Sequence, residues 1–363
     1  MKRIKALFSR KAGDSALTYA MALVIFAVVF VLKSAGLLTN AISGQLVPIC
    51  VYIVMAVSLN LTVGVLGELS LGHAGFMSVG AFSGVVVAAS CQGIGSDPVR
   101  LILAVLVGGC LAGIVGFLIG IPVLRLRGDY LAIVTLAFGE IIRNIMNCLY
   151  VGIDSSGLHF SLTDAAGLHM SNGTLLINGP MGAVGISKIS SFFAGFVLVM
   201  LTLVVVLNLV NSRTGRAVMA VRDNDIAAES VGIAITKYKL TAFVTSAVLA
   251  GMAGALYALN YSTIQAKKFD FNTSILVLVF VVLGGMGNIR GTILSTIVLY
   301  MLPELLREFS DYRMLLYAII LILAMIAKNN VYSKRFFAKV MESIRGAWRK
   351  IIQHFTRKKE AAE

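Results

Sequence analysis

Residues 211–239, NSRTGRAVMAVRDNDIAAESVGIAITKYK, form a polar segment between two long apolar runs. Within it, the cluster Asp-Asn-Asp at 223–225 consists of residue types that cap helix N-termini, so the following residues, 226–231, are predicted to form a short helix. Gly232 is the predicted end of this helix, because glycine adopts the left-handed conformation without a Cβ clash. We therefore expect the polar segment to present a stiff helix to water, where a soluble partner can bind it.

The chain around the polar segment is far more apolar than a soluble protein. Of its 363 residues, 58% are hydrophobic and 13% are charged, and the mean hydropathy is +0.90. Soluble domains carry about 25% charged residues. These values predict an all-α polytopic membrane protein. The net charge of +14 does not indicate a nucleic-acid partner, because the basic residues lie in short loops and a terminal stretch beside apolar runs.

Ten segments are predicted to span the membrane, although 273–287 and 313–327 are short for the purpose. The basic residues before the first run are also typical of a signal peptide, but no cleavage pattern of small residues follows, so we predict a transmembrane helix there. The ten segments are 17–32, 46–66, 70–90, 99–121, 130–150, 191–210, 240–261, 273–287, 291–306 and 313–327.

The basic residues predict the orientation of these spans. Most of the 31 Lys and Arg residues lie in the termini and in the loops that ten spans would place on the same side as the termini. The positive-inside rule then puts both termini and the polar segment in the cytoplasm, and the long loop 151–190 in the periplasm. An odd number of spans would separate the two basic termini.

The C-terminal residues 328–363 are predicted to form a separate basic cytoplasmic tail after a transmembrane domain at 1–327. Apolar residues recur in it at helical spacing between basic ones, which predicts an amphipathic helix on the anionic lipid surface. The alternative is a partly disordered anchor without a function. The apolar residues are Phe337, Val340, Ile344, Ile351 and Phe355.

Glycines recur four residues apart within the predicted spans, a spacing that lets helix backbones approach each other in lipid. The pairs are Gly80 and Gly84, Gly109 and Gly113, Gly116 and Gly120, and Gly287 and Gly291. Two stretches, 64–75 and 284–291, combine many glycines with polar groups and predict broken helices or tight turns. Such backbone is tolerated at membrane depth only against protein or a watery cavity.

Polar and ionisable residues near these stretches are candidates for a translocation pathway, because lipid would leave them unpaired. Glu140 and Arg143 are three residues apart, so we expect them to pair on one helix face that looks into the bundle. A purely structural ion pair is an equally open interpretation, and His73 is also a candidate for a hydrogen-bonded structural residue. The full set is Glu68, Ser70, His73, Glu140, Arg143 and Asn144.

The sequence carries no marker of an enzyme. It has no GxxxxGK[ST] phosphate loop, no HExxH, no GxSxG and no CxxC motif. The four cysteines, Cys50, Cys91, Cys110 and Cys148, are scattered through apolar stretches without paired spacing, which indicates buried thiols. We predict no catalytic residues, no cofactor and no metal site.

Five blocks of the sequence, in order, resemble LivM-type permeases of branched-chain amino-acid ABC transporters. They are LNLTVGVLGELSLGHAGFMSVGAF (59–82), GDYLAIVTLAFGEIIRN (128–144), TGRAVMAVRDNDIAAESVGI (214–233), KYKLTAFVTSAVLAGMAGALYA (237–258) and VVLGGMGNIRGTI (281–293). The resemblance implies a bacterial inner-membrane importer. It also implies a second, LivH-type permease, two cytoplasmic ATPase subunits and a periplasmic substrate-binding protein as partners.

The resemblance implies that the polar segment is the loop that docks on the ATPase. Permeases of ABC importers carry an EAAxxxG motif there, and the spacing from Ala227 to Gly232 matches it, with Ile226 in place of the glutamate. The implied coupling residues are Arg216, Arg222, Asp223, Asp225, Ile226, Ala227, Ala228, Glu229 and Gly232. Relatives that import urea or other small solutes leave the substrate open.

Two other classes of function remain open on the residues alone. A self-sufficient secondary transporter or channel would need its own intramembrane ion site and no ATPase partner. A polytopic enzyme would need catalytic motifs, and none of the usual ones is present. Subunits that co-purify with the chain from its native membrane would distinguish these alternatives from an ABC permease.

Overall fold

The computed structural model describes residues 2–329, apart from 37–38, 92, 94, 127, 155–156, 169 and 171–172. The described part is mainly helical, and twelve α-helices carry its architecture. They are α1 (Lys2–Ser34), α2 (Asn40–Asn60), α3 (His73–Ser90), α4 (Asp97–Val123), α5 (Asp129–Asn147), α6 (Phe192–Asn211), α7 (Arg213–Asp223), α8 (Asp225–Ser230), α9 (Ile235–Ala258), α10 (Phe271–Gly284), α11 (Ile289–Leu305) and α12 (Arg313–Asn329).

A helix lies at each of the ten predicted spans. Six helical stretches among the described residues are long and apolar enough to cross a membrane: Ser15–Ser34, Asn40–Leu66, His73–Ser90, Asp97–Val123, Phe192–Asn211 and Ile235–Ala258. The helices α5, α10, α11 and α12 occupy the other four predicted positions. The prediction of a helical membrane protein is confirmed, while the number of ten spans stays a prediction.

Three of the four glycine pairs predicted to mediate helix packing do so along α9, and the pair Gly287 and Gly291 lies elsewhere, against Gly64 and Gly284. A Cβ at Gly80 would clash with the backbone of Gly251 on α9, and one at Gly84 would clash with Ala255. The glycines of α4 meet the same helix, since Gly113 packs on Val248. With no hydrophobic effect between helices in lipid, such close backbone contact supplies the attraction. α3, α4 and α9 therefore form one tightly packed layer.

α2 lies at the centre of the bundle, with 94% of its most apolar window buried within the chain. It continues into a π-helix at Leu61–Leu66, which ends at Gly67. Gly67 has a φ of 82°, a left-handed conformation that favours glycine. The chain then runs without regular helix to His73, so the first glycine-rich stretch is an interruption between two helices, as predicted.

The second predicted interruption lies between α10 and α11. Gly285 and Gly287 both have positive φ values, and they turn the chain between the end of α10 at Gly284 and the start of α11 at Ile289. Gly284 and Gly291 touch across this turn, because a Cβ on either would clash with the backbone near the other. The two glycine-rich stretches are thus broken helices in the structure.

A small antiparallel sheet, which the sequence did not predict, forms from the loop after α5 and the loop after α9. Its strands are β1 (Tyr150–Asp154), β2 (Gly157–Ser161), β3 (Thr174–Asn178), β4 (Ala183–Val184) and β5 (Thr263–Ile264), in the order β2-β1-β3-β4-β5. β1 pairs with β2 through Val151 opposite Phe160, and β4 pairs with β5 through Ala183 opposite Ile264. The sheet joins two loops that are both predicted to lie outside.

The chain divides into two compact units, Met1–Tyr300 and Met301–Glu363. In the described part of the second unit, a 3₁₀ segment at Arg307–Tyr312 precedes α12, and Arg307 pairs with Glu304 at 3.2 Å. The predicted boundary at 327 stays a prediction. The proposed amphipathic tail helix lies outside the described residues.

Candidate transport and coupling site

The polar segment forms two short helices, α7 and α8, whose ends are capped by its own side chains. Ser212 accepts a hydrogen bond from the Gly215 amide at 3.1 Å, and Asn224 Oδ1 accepts one from the Ala227 amide at 2.9 Å. Gly232 follows α8 with a φ of 82°. The predicted short helix, its N-cap and its glycine stop are therefore confirmed in the fold.

The outer surface of α8 is apolar at two points. Ile226 and Val231 are 70% and 75% exposed, although both are large aliphatic residues. Among the implied coupling residues of this helix, Ala227 and Glu229 are exposed as well. Ala228 is buried against the protein, because adjacent helical positions point in different directions, so it is not available to a partner.

Arg222 connects the polar segment to the first broken helix. Its guanidinium donates to Asp223 at 2.8 Å and to the backbone oxygen of Gly64 in the π-helix at 3.2 Å. Its aliphatic part lies over Gly67, where a Cβ would come 2.5 Å from Arg222 Cγ. Arg216, by contrast, donates to the Asn211 oxygen at the start of the segment.

Glu68 forms an ion pair with Lys239 at the start of α9, and both side chains are largely buried. Burial raises the pKa of Glu68, and the hydrogen bond and charge of Lys239 oppose that rise. Glu68, Lys239 and Arg222 line a cavity of about 430 Å³ that reaches Asp225 and Ile226 of α8. One predicted pathway residue thus lies within the same cavity as the predicted coupling residues.

Ser70 and His73 are buried beyond this cavity. His73 Nε2 lies 2.9 Å from the hydroxyl of Ser58 on α2, which is the structural, hydrogen-bonded role left open for it. The Ser70 hydroxyl has no hydrogen-bond partner among the described residues. These two residues line the junction between the first interruption and α3.

The remaining predicted pathway residues lie on α5. Glu140 Oε2 is 2.6 Å from Arg143 Nη2, which confirms the predicted ion pair. Arg143 is 28% exposed and Glu140 31%, and Asn144 is exposed. The expectation that this face of α5 looks into the chain's own bundle is therefore wrong. Glu140 also borders a cavity of about 10 Å³ shared with Asp270, roughly the space of one water molecule.

Three functional candidates escaped the sequence reasoning: Asn60, Ser58 and Lys239. Asn60 is completely buried and binds both Gly287 and Thr292 across the second interruption. An asparagine inside an apolar run was the available signal for it. The predicted pathway residues thus lie in three places: Glu68 beside the polar segment, Ser70 and His73 at the start of α3, and the remaining three on α5.

The comparisons with known proteins identify the family of the chain. The family model described as branched-chain amino acid transport system / permease component matches residues 41–325. The chain belongs to this family. The resemblance seen in the sequence blocks is thereby confirmed, and the family is one of permeases.

Individual relatives of this permease family are similar over long stretches. The high-affinity branched-chain amino acid transport system permease protein LivM of Escherichia coli is 38% identical over 290 residues, and that of Salmonella typhimurium 36% over 293. Each alignment covers 76% of this chain and 66% of the relative. The ribose import permease protein RbsC of Haemophilus influenzae is 26% identical over 294 residues, 78% of this chain and 83% of that protein. No solved structure matches the chain.

Proposed function

We propose that the chain is a permease subunit of an ABC importer in a bacterial inner membrane, and that separate ATPase subunits drive it through the polar segment. The observation that carries the proposal is α8, a capped helix with exposed Ile226 and Val231 beside a cavity that reaches Glu68. Large exposed aliphatic residues on a rigid helix fit a groove in a partner protein. The chain itself carries no proposed catalytic residue or cofactor.

Branched-chain amino acids are the proposed substrates, since the LivM relatives are named for their transport. The pathway runs beside the Glu140–Arg143 pair of α5, which is about one third exposed and to which lipid offers no further hydrogen bond. A second, LivH-type permease covers that face, and a periplasmic binding protein delivers the substrate. Ribose is the competing substrate, because RbsC permeases are also relatives.

The docking role is tested by placing a charge on the exposed surface of α8. We expect Ile226→Glu to leave membrane abundance unchanged and to release the ATPase subunits during purification, because a buried unpaired carboxylate opposes docking. Met181→Glu is the matched control, since Met181 is 61% exposed in the loop predicted to lie outside. Retention of the ATPases and full uptake by Ile226→Glu would place docking elsewhere.

Uptake by proteoliposomes that contain the purified protein distinguishes an ABC importer from a secondary transporter, and it also tests which substrate is carried. A secondary transporter would accumulate solute in proteoliposomes without ATPase subunits and without ATP. We expect ATP-dependent uptake of labelled leucine that unlabelled isoleucine and valine inhibit and ribose does not. Inhibition by ribose alone would overturn the substrate assignment while leaving the importer intact.

A further inference from the structure

Asn60, at the end of α2, ties the two broken helices together through its side chain. Its Oδ1 accepts a hydrogen bond from the Gly287 amide at 2.8 Å, and its Nδ2 donates to Thr292 Oγ1 at 3.0 Å. Gly287 lies in the turn between α10 and α11, and Thr292 lies in the first turn of α11. One amide of the first broken helix therefore binds both the turn of the second interruption and the helix that follows it.

The backbone around Gly64 brings these two elements into direct contact. A Cβ at Gly64 would clash with both Asn60 Oδ1 and the Gly287 amide nitrogen. Gly64 belongs to the π-helix, a form that is rare and frequently found at functional sites. Only a glycine here allows the second interruption to pack on the π-helix.

The opposite side of Gly64 is held by the polar segment. The Gly67 and Glu68 amides both donate to the Thr62 oxygen, whereas the Gly64 oxygen accepts from Arg222 at the end of α7. Arg222 is in turn held by Asp223, next to the N-cap of α8. A displacement of α8 thus acts on Gly64 through two successive hydrogen-bonded contacts.

We propose that Asn60 is the positioning residue through which movement of the polar segment reaches the second broken helix, so that both interruptions shift together during transport. The proposal rests on the proposed function, because it needs an ATPase to displace α8. Buried donors and acceptors are costly to leave unpaired, so the contact of the buried Asn60 with Gly287 favours joint movement over separation. The π-helix lies between this contact and the contact of Arg222 with Gly64.

The decisive experiment compares two identical substitutions in α11. Thr292 and Thr296 are both completely buried, but Thr292 Oγ1 accepts from Asn60, whereas Thr296 Oγ1 bonds only to the Thr292 oxygen of its own helix. The complete transporter is reconstituted with its ATPases, and leucine transported per ATP hydrolysed is measured. We expect Thr292→Val to lower this ratio about tenfold while hydrolysis continues, and Thr296→Val to leave it near the wild-type value.

Asn60→Leu, of similar size, removes both bonds and should lower the ratio at least as far. A purely structural role would instead reduce abundance, hydrolysis and uptake in proportion. If Asn60→Leu does not accumulate, Thr292→Val still carries the test. Arg222→Gln combined with Thr292→Val should be no worse than the more affected single variant, because residues in series are not additive.

Two results would separate this inference from the proposed function. Equal transport ratios for Thr292→Val and Thr296→Val in an ATP-driven wild-type system would overturn the role of Asn60 alone. Uptake by the wild type without ATP would remove the proposed function and this inference with it. Strictly additive losses in the Arg222 and Thr292 double variant would also contradict a single connected path.

Discussion

The Glu140–Arg143 ion pair is the residue-scale feature with the strongest functional consequence. Both groups are about one third exposed on a helix at a predicted span, and hydrocarbon offers neither of them a hydrogen bond. The isolated chain therefore leaves a charged face that needs water or protein beside it. In the proposed importer, that face of α5 is covered by the second permease and borders the solute.

Replacement of one member of the pair, by Glu140→Ala or Arg143→Ala, is expected to lower leucine uptake by about tenfold or more, since an unpaired charge at bilayer depth costs about 2.5 to 3.5 kcal/mol. The double alanine variant should recover membrane abundance without recovering uptake. Uptake by cells at equal membrane abundance is the measurement. Arg307→Ala, which breaks the exposed Arg307–Glu304 pair of the same spacing, serves as control and should transport normally.

Normal uptake by both single alanine variants would remove the pair from the pathway and leave it a structural role. The spacing of these residues was enough to predict their pairing, because three residues along a helix bring side chains together. Asn60 and Lys239 were not predictable in this way. Their partners Thr292 and Glu68 lie 232 and 171 residues away, so only the tertiary fold brings them together.

At the scale of elements, α3, α4 and α9 pack closely together beside the two broken helices. The glycine spacing in the sequence predicted such contacts, and α9 is the helix that receives most of them. The sheet was beyond prediction for a different reason. β4 and β5 have two residues each and pair across about eighty residues of chain, so neither shows a periodic pattern of its own.

A larger side chain in place of a glycine between α3 and α9 should destabilise the bundle. Gly80→Val directs its side chain into the backbone of Gly251, and overpacking of this kind costs about 1 to 3 kcal/mol. Gly44→Val is the matched control, because Gly44 is also helical and has nothing within 4 Å of an added Cβ. The midpoint of thermal unfolding in detergent is the measurement; equal midpoints for the two variants would show that α3 and α9 do not depend on this contact.

For the whole molecule, contacts between loops agree with the predicted sidedness. Loops placed inside by the charge distribution meet at Glu68–Lys239, and loops placed outside meet where β4 pairs with β5. Hydropathy and basic residues were enough to group the loops this way. They were not enough to fix the number of spans, because the helices outside the six long apolar stretches are shorter or less apolar.

Thiol labelling tests the sidedness directly. In a variant with the four native cysteines replaced by alanine, we expect Ser187→Cys to react with a membrane-impermeant maleimide in intact cells. Ser230→Cys on α8 should react only after permeabilisation; both serines are exposed. The basic residues of the polar segment favour the cytoplasm, which is the physical reason for this difference. Labelling of both positions from the same side would contradict the predicted topology.

The burial of α2 has a consequence for how the protein is made. α2 is enclosed largely by α6, α9 and α10, all of which follow it in the chain and leave the ribosome later. Before these helices are inserted, α2 faces lipid. It is stable there because the stretch Asn40–Leu66 has a mean hydropathy of 2.3. Asn60 at its end then has no partner until Gly287 and Thr292 have been synthesised. Biogenesis therefore ends with the closure of late helices around an early one, and nascent chains that end before α10 should expose α2 to lipid-soluble crosslinkers.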